Sequence, residues 1–294
     1  MKHIDKSPIN NNPLESFLRC KDYTVSGKTF TIVIDKESDF LITSPRPNDE
    51  DLGKYYESEN YISHADSKKS FIDKIYQSVR NITIKQKIKL INTFDQTDRS
   101  ILDIGVGTGD FLNACENKNW QVIGVEPNGK ARTLAKSKLK ETTSKIYESV
   151  EELEFETFDV ITMWHVLEHV PNLTDYISTL KKLLKTNGTL VIAVPNFKSY
   201  DALHYKEYWA AFDVPRHLWH FSQTAIQKLF QPEGMQIVKM IPMKFDAYYV
   251  SLLSEKYLYR KSNIFKAFFI GLRSNFKAKA SKEYSSITYI IKNS

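Results

Sequence analysis

An α/β fold with a doubly wound, mostly parallel sheet is the class this sequence predicts, on three observations. Ile101-Leu102-Asp103-Ile104 is a short, largely apolar run that leads into glycines at 105, 107 and 109 and then into the apolar start of a helix at Phe111-Leu112. Runs of strand character at 120–125 and 158–164 alternate with helical stretches, the order that places helices on the faces of a parallel sheet. Thr189-Leu190-Val191-Ile192-Ala193-Val194 is almost wholly apolar, as a central parallel strand buried on both faces has to be.

Taken in order, residues 1–70 read as an N-terminal extension. Asn10-Asn11-Asn12-Pro13 is a polar linker, and Thr29 to Ile34 with Asp39 to Thr43 reads as a hairpin. A helix around Phe71 to Phe94 opens the sheet domain, residues 71–241. Trp120-Gln121-Val122-Ile123-Gly124-Val125-Glu126-Pro127 is a second strand ending in an acid, and Phe158 to Trp164 is another strand. Asn172 to Lys185 is a helix, because Leu173, Tyr176, Ile177, Leu180 and Leu184 fall on one face. Asn172 is suited to cap it and Asn187-Gly188 to end it. Residues 242–294 form a C-terminal part that closes with a strand, Ile287 to Ile291, returning to the sheet.

The glycine turn carries the chemistry. Backbone without side chains lets a ligand lie directly against it, and the helix start beyond offers unsatisfied N–H groups. A strand, glycine turn and helix in this order is how open α/β sheets receive a nucleoside. The spacing is G-x-G-x-G, not the G-x-G-x-x-G of dinucleotide sites, and Asp103 stands two positions ahead of it. A pyrophosphate at a helix start is poorly served by an adjacent acid. A ligand with an ammonium-bearing tail is well served. Glu126 lies about 20 residues past the first glycine, where an acid takes ribose hydroxyls in such sheets.

Five histidines follow the later strands. His165 and His169 come after 158–164, and His204, His217 and His220 come after 189–194. Carboxyl ends of strands carry the sites of open α/β sheets. His165 or His217 is therefore the candidate general base, with Asp213 or Glu168 to orient it. Each of these histidines has the alternative of a structural role where loops meet sheet ends. Arg216 beside Asp213 suits either an acidic substrate group or an internal ion pair. Trp209, Phe212 and Trp219 suit either an apolar wall or a satellite core.

Leu102 to Gly109, Gly124-Val125-Glu126-Pro127, Phe158-Asp159-Val160-Ile161 and Leu183 to Val194 resemble, in order, the motifs of class I S-adenosylmethionine-dependent methyltransferases. The likeness spans roughly residues 85–241. Trp164-His165-Val166-Leu167-Glu168-His169-Val170-Pro171 is similar to the branch that includes ubiquinone-biosynthesis O-methyltransferases. Trp209 to Leu218 and Tyr284-Ser285-Ser286-Ile287 look like a bacterial group of unassigned substrate. The resemblance implies a seven-stranded Rossmann-like methyltransferase sheet with S-adenosyl-L-methionine as cofactor. Asp103, Gly105, Gly107 and Gly109 would hold its methionine part. Glu126 would hold the ribose, with Pro127 beside it. Val150 would flank the adenine. Trp164 and His165 would border the methyl group.

The resemblance also bears on metals. In the quinone branch the motif is similar to Glu-x-x-Glu-His and is associated with a divalent cation. Here the first acid is replaced by His165, a poorer ligand for a hard cation, so no metal is expected. Relatives of the bacterial group often begin with a zinc ribbon. Leu18 to Asp22 and Phe40 to Pro47 look like its remains, but Asp35-Lys36-Glu37-Ser38 stands where a Cys-x-x-Cys would, so zinc is not expected either. Tyr55, Tyr56, Tyr61 and His64 are similar to a cover over the cofactor pocket in relatives, and a surface aromatic cluster packed on the sheet domain is the alternative.

Composition narrows the remaining classes. The net charge of +6 over 294 residues is too modest to indicate nucleic acid. The Asp/Asn-Pro-Pro-Tyr/Phe pattern of adenine amino-methylation does not follow Trp164. Cys20 and Cys115 make no disulfide framework. Met1 to Pro13 is polar, and no apolar run is long enough to cross a bilayer, so a cytoplasmic chain acting on a small-molecule acceptor is the expectation. Residues 256–282 interleave eight bases with aromatic residues and contain no acid. They suit either an anionic membrane surface or a helical lid with its apolar face on the core. A nicotinamide-dependent oxidoreductase and a non-catalytic nucleoside-binding module stand as the alternative functions, and the sequence leaves the oligomeric state open.

Overall fold

The computed structural model describes residues 1–56, 71–94, 97–140, 145–153 and 156–294. Seven strands form the main sheet: β4 (Ser100–Ile104), β5 (Gln121–Val125), β6 (Lys145–Tyr147), β7 (Phe158–Trp164), β8 (Leu184–Pro195), β10 (Met235–Pro242) and β11 (Ser286–Asn293). Their order is β10-β11-β8-β7-β4-β5-β6. The three registers β7–β4, β4–β5 and β5–β6 are parallel. This is the mostly parallel α/β sheet that the alternation of apolar runs predicts. A second, antiparallel sheet joins β1 (Glu15–Lys21), β2 (Thr29–Asp35), β3 (Phe40–Thr43) and β9 (Trp219–His220).

The chain divides into two compact units, Glu59–Val166 with Ser178–Ile192 and Ile290–Ser294, and Met1–Ser58 with Leu167–Ile177 and Ala193–Tyr289. The first holds β4 to β7 with α1 (Phe71–Ile91), α2 (Asp110–Glu116) and α3 (Gly129–Lys136). Ile101, Leu102, Val160, Ile161, Leu190 and Val191 are buried at its centre. Asp159 ties the entry to β4: its carboxylate accepts N–H bonds from Thr97, Asp98 and Ser100 at 2.9–3.0 Å and an ion pair from Lys185 at 3.1 Å. Burial raises this carboxyl, but the three N–H donors and Lys185 outweigh it and hold it well below the usual carboxylate range.

The second unit contains the small sheet, α5 (Tyr200–Tyr205), α6 (Gln223–Phe230), α7 (Asp246–Tyr259) and α8 (Ile264–Ser281). Phe30, Ile32, Leu41, Phe197, Trp209 and Phe212 belong to its core. Trp209, Phe212 and Trp219 are all buried, so these aromatics take the packing role of the two open to them. Buried Asp201 accepts hydrogen bonds from Trp209 Nε1 (2.8 Å), Ser274 Oγ (2.6 Å) and Ser285 Oγ (2.7 Å), pinning three separate segments to one carboxylate.

The elements differ from the sequence expectation in two places. The helix α4 spans Leu173–Leu183, and β8 already begins at Leu184, so Asn187-Gly188 lies inside a long strand rather than ending a helix. The apolar face through Leu184 fits a helix end and a strand start equally well, which is why periodicity alone misplaces this boundary. The hairpin at 29–43 is present, and it gains β1, whose alternation is masked by the charged Glu15, Arg19 and Lys21. Tyr61 and His64 lie outside the described residues.

Candidate functional site

In the first unit the site starts at the tip of β4. Gly105, Gly107 and Gly109 have φ of +78°, +56° and +84°, a region that side chains avoid. Their surroundings differ. A Cβ on Gly105 would lie 2.3 Å from Val166 Cγ2, and one on Gly109 would lie 2.8 Å from the Ala135 backbone. A Cβ on Gly107 would meet nothing within 4 Å. Gly105 and Gly109 are therefore required by packing as well as by backbone angle. Gly107 is required by its angle and presents bare backbone to open space.

Two carboxylates flank this turn. Asp103 is buried next to Thr162 in the parallel register of β4 and β7, and Thr162 Oγ1 donates to Asp103 Oδ1 at 2.5 Å. Burial pushes the Asp103 carboxyl up to about 7; the Thr162 hydroxyl and the Lys87 ammonium pull it back only in part. Glu126, at the tip of β5, accepts from Gly107 N–H (2.7 Å) and Asn128 N–H (2.9 Å). Its carboxyl is raised by burial, against those two N–H donors and Arg132. Arg132 donates to the Glu126 backbone oxygen at 2.6 Å and pairs with Glu148 at 2.7 Å. The result is an acid on each of two neighbouring strand tips with the bare bend at 107 between them in sequence. Pro127 follows Glu126, and Val150 is buried in a short 3-10 turn that Ser149 and Glu152 close with a capping box.

Trp164 ends β7. The Lys87 ammonium sits 4.0 Å from the centre of its ring, and Phe111 meets it edge-on at 5.7 Å. His165 follows with φ +60°, an uncommon angle for a branched ring side chain, with a cost of order 1 kcal/mol. Strain of that kind concentrates at functional positions. Asp110, the first residue of α2, is held by Arg80, by Lys138 (2.9 Å) and by Thr108 (3.0 Å). Burial opposes ionisation of Asp110, but these partners outweigh it and lower its carboxyl.

The second unit gathers the other candidate residues. His217 is buried with its Nδ1 2.9 Å from the Ala211 carbonyl oxygen. A carbonyl only accepts, so Nδ1 carries a hydrogen, and Nε2 lies 3.9 Å from Asp213 Oδ2. His169 meets His217 edge-on at 4.6 Å and approaches Tyr56 Oη (2.9 Å) and the Arg216 carbonyl oxygen (3.1 Å) through Nδ1. Burial first, and then His217, pushes His169 down to about 4, so it is neutral near pH 7. Glu168, His169 and His217 each offer one donor atom within 4.8 Å of the others. Arg216 is buried; it forms two bonds to Asp213 (2.5 and 2.9 Å) and lies 3.4 Å from Asp22. Of its two sequence readings, the internal ion pair is the one found. His220 is buried against Thr43 at 3.1 Å.

Sequence reasoning missed Lys87, Thr162 and Arg80. Thr162 leaves a signal, as the polar residue amid the apolar Val160-Ile161 and Met163 at the level of Asp103. Arg80 and Lys87 leave a weaker one: they lie two turns apart on one face of α1.

A family described as a methyltransferase domain matches residues 76–240. The ubiquinone biosynthesis O-methyltransferase of Photobacterium profundum is 32% identical over 110 residues, covering 35% of this chain and 47% of that protein. An uncharacterized methyltransferase of Alkaliphilus oremlandii is 34% identical over 110 residues, covering 36% and 50%. The chain thus spans about half the length of the curated relatives it matches. Among solved structures, the magnesium protoporphyrin IX methyltransferase of Synechocystis PCC 6803, with bound SAH, aligns at a TM-score of 0.55 and 14% identity over 84% of this chain and 100% of that one. The cyclopropane synthase MmaA2 of Mycobacterium tuberculosis aligns at 0.55 and 12% identity over 84% and 99%. At such identities the structural likeness speaks for the fold.

Proposed function

From the premise that the chain belongs to the methyltransferase-domain family, we propose that it binds S-adenosyl-L-methionine at the β4–β5 tips and transfers methyl to a small-molecule or lipid-borne acceptor, at oxygen. The single observation that carries the reading is the bare bend at Gly107 with Asp103 and Glu126 on either strand tip. The fit to the cofactor is chemical. Asp103, raised by burial, gains from an ammonium beside it. Glu126, oriented by Gly107 and Asn128 N–H groups, retains acceptor capacity for a diol. Gly107 gives room where a side chain would intrude.

The cofactor supplies an electrophilic methyl on a sulfonium, a good leaving group. The protein's task is alignment, and holding two reactants in line lowers a barrier by roughly 7–11 kcal/mol. Trp164 and His165, at the end of β7, border the reacting centre in this reading, and Val150 flanks the base. A hydroxyl acceptor must lose a proton. His165 and His217 are the two candidates for that role. Support for His217 is its ring, fixed by Ala211 on one nitrogen; support for His165 is its strained place after the strand tip.

Calorimetric titration tests the reading: S-adenosylmethionine and S-adenosylhomocysteine bind, and NAD does not. Tight NAD binding with no response to S-adenosylhomocysteine refutes it and favours the oxidoreductase. Binding without any S-adenosylhomocysteine formed from a metabolite extract favours the non-catalytic module.

A further inference from the structure

α8 is packed the wrong way round for a helix whose task is to complete a core. Its buried positions are the small ones: Ala267, Gly271, Ser274 and Ala278. Gly271 lies so close to α7 that a Cβ would fall 2.7 Å from the Tyr248 ring, and Ser274 hydrogen-bonds to Asp201. Its large apolar side chains point outward. Phe265 is 81% exposed, Phe276 70% and Phe269 63%, with Ile264, Phe268 and Leu272 about half exposed beside them. At about 100° per residue, these six fall within an arc of roughly 140°, and the small residues fall in a separate arc of about 60° beside it. Single exposed apolar residues need no explanation, but a contiguous face of four phenylalanines does.

The segment that carries this face is basic. Residues 256–282 hold eight of the chain's 41 lysines and arginines and none of its 35 acids, so the rest of the chain is slightly acidic. Lys266, Arg273 and Lys277 lie along one border of the aromatic arc, Lys266 paired with Glu255 at 3.2 Å and Arg273 and Lys277 over the Tyr200 ring, while Lys261 and Lys279 lie toward its two ends. No described helix is long and apolar enough to cross a membrane. A helix that offers aromatics to one side and cations around them lies in the plane of a bilayer surface, apolar face among the acyl chains and bases at the headgroups.

We propose that α8 is a surface for docking on an anionic lipid bilayer. A second copy of the chain is a poorer occupant, because it would bring two sets of eight cations together with no acid in the segment to meet them. Anionic headgroups neutralise the same charges. Lysines with aliphatic stems long enough to reach past the phenylalanines add to the fit.

Flotation of the full chain with vesicles tests this without any cofactor, so its outcome is separate from that of the methyl-transfer reading. Expected results are flotation with phosphatidylglycerol–phosphatidylcholine vesicles at low salt, none with phosphatidylcholine alone, and release as salt rises to about 0.5 M. Phe265→Ser with Phe269→Ser should weaken partition at least about tenfold, since two buried aromatic side chains are lost from the lipid phase. Lys261→Glu with Lys279→Glu should weaken the preference for anionic vesicles. Because all four side chains are outside the core, the thermal melt should not move. No flotation of the native chain, or equal flotation of the phenylalanine variant, overturns the proposal. So does a concentration-dependent dimer in sedimentation that the phenylalanine variant dissolves.

Discussion

The glycine turn and the histidine cluster are both built on residues with chemistry to offer, yet they are assembled by opposite means. At the turn nearly every determinant is local or in strand register: Asp103 to Gly109 is one short run, and Glu126 is one strand away. Around His217 the partners come from remote chain. Thr43 Oγ1 donates to the His217 carbonyl at 2.8 Å across 174 positions, and Arg216 meets Asp22 across 194. A locally coded site is robust to changes elsewhere. A site held by long-range polar contacts depends on each of its supports, and that difference is open to test.

The largest expected effect is at Arg216. Arg216→Met removes the cation from between Asp213 and Asp22, which leaves two acids in poor surroundings. Loss of one partner of a buried pair costs about 3–5 kcal/mol, read as a drop in urea midpoint. The sign with pH follows from the acids. Burial opposes both Asp22 and Asp213, but hydrogen bonds from Ser26 and Thr24 to one and from Arg216 to the other lower their carboxyls, Asp22 to about 2. Native stability from these groups is present above the unfolded carboxyl range and is lost as pH falls toward 2. Arg216→Met should flatten that acid limb. If the variant unfolds at the native midpoint, the dependence on remote contacts is not as described.

Next comes the base. His165→Ala or His217→Ala should lower turnover about 10²–10⁴-fold with S-adenosylhomocysteine affinity unchanged. Loss confined to one variant assigns the proton acceptor to that histidine. Full turnover in both removes the histidine base altogether. A drop in His217→Ala accompanied by a lowered melting point would instead mark that ring as a support of the cluster with His169.

A finer contrast lies within the turn itself. Gly105→Ala meets Val166 as well as a left-handed φ and should cost about 2–4 kcal/mol of stability. Gly107→Ala meets only the φ penalty, about 1–2 kcal/mol, because the space beyond it is open. Its effect should appear in cofactor affinity, with a stable protein that binds S-adenosylhomocysteine weakly or not at all. Equal stability losses at the two positions would mean that Gly107 is also packed against protein.

The same division explains what was legible in the sequence. The central apolar strands, the G-x-G-x-G turn and both acids are written in short runs with a period or a spacing, whereas the start of β8 and the whole of β6 and β10 are not. The Asp22–Arg216–Asp213 network has no such mark, because no spacing links residues 22 and 216. The antiparallel small sheet was half visible: the hairpin β2–β3 is local, while its pairing with the two-residue β9 is not. Residues 256–282 show why composition alone leaves two readings standing. Their bases and aromatics are plain in the sequence, but which side of α8 holds the small residues is settled only by the position of Gly271 against Tyr248.

The smallest effect, and the sharpest probe of the local site, is the pH dependence of cofactor binding. Asp103 stands at about 7 because burial disfavours its charge more than Thr162 and Lys87 restore it. An ammonium beside it binds the ionised form, so affinity should rise with pH while Asp103 is being deprotonated and level off above about 7. Between pH 6 and 7, below the titration of the ligand's own α-amino group, the ionised fraction and hence the affinity should increase about fivefold. Asp103→Asn keeps the side chain's size and removes the titration. It should bind weakly with a flat profile over the same range, measured by calorimetry in buffers of different ionisation heat so that proton release is counted directly. A native profile that is flat, or that falls as pH rises, would place the ligand's ammonium away from Asp103 and leave the β4 tip with a purely structural acid.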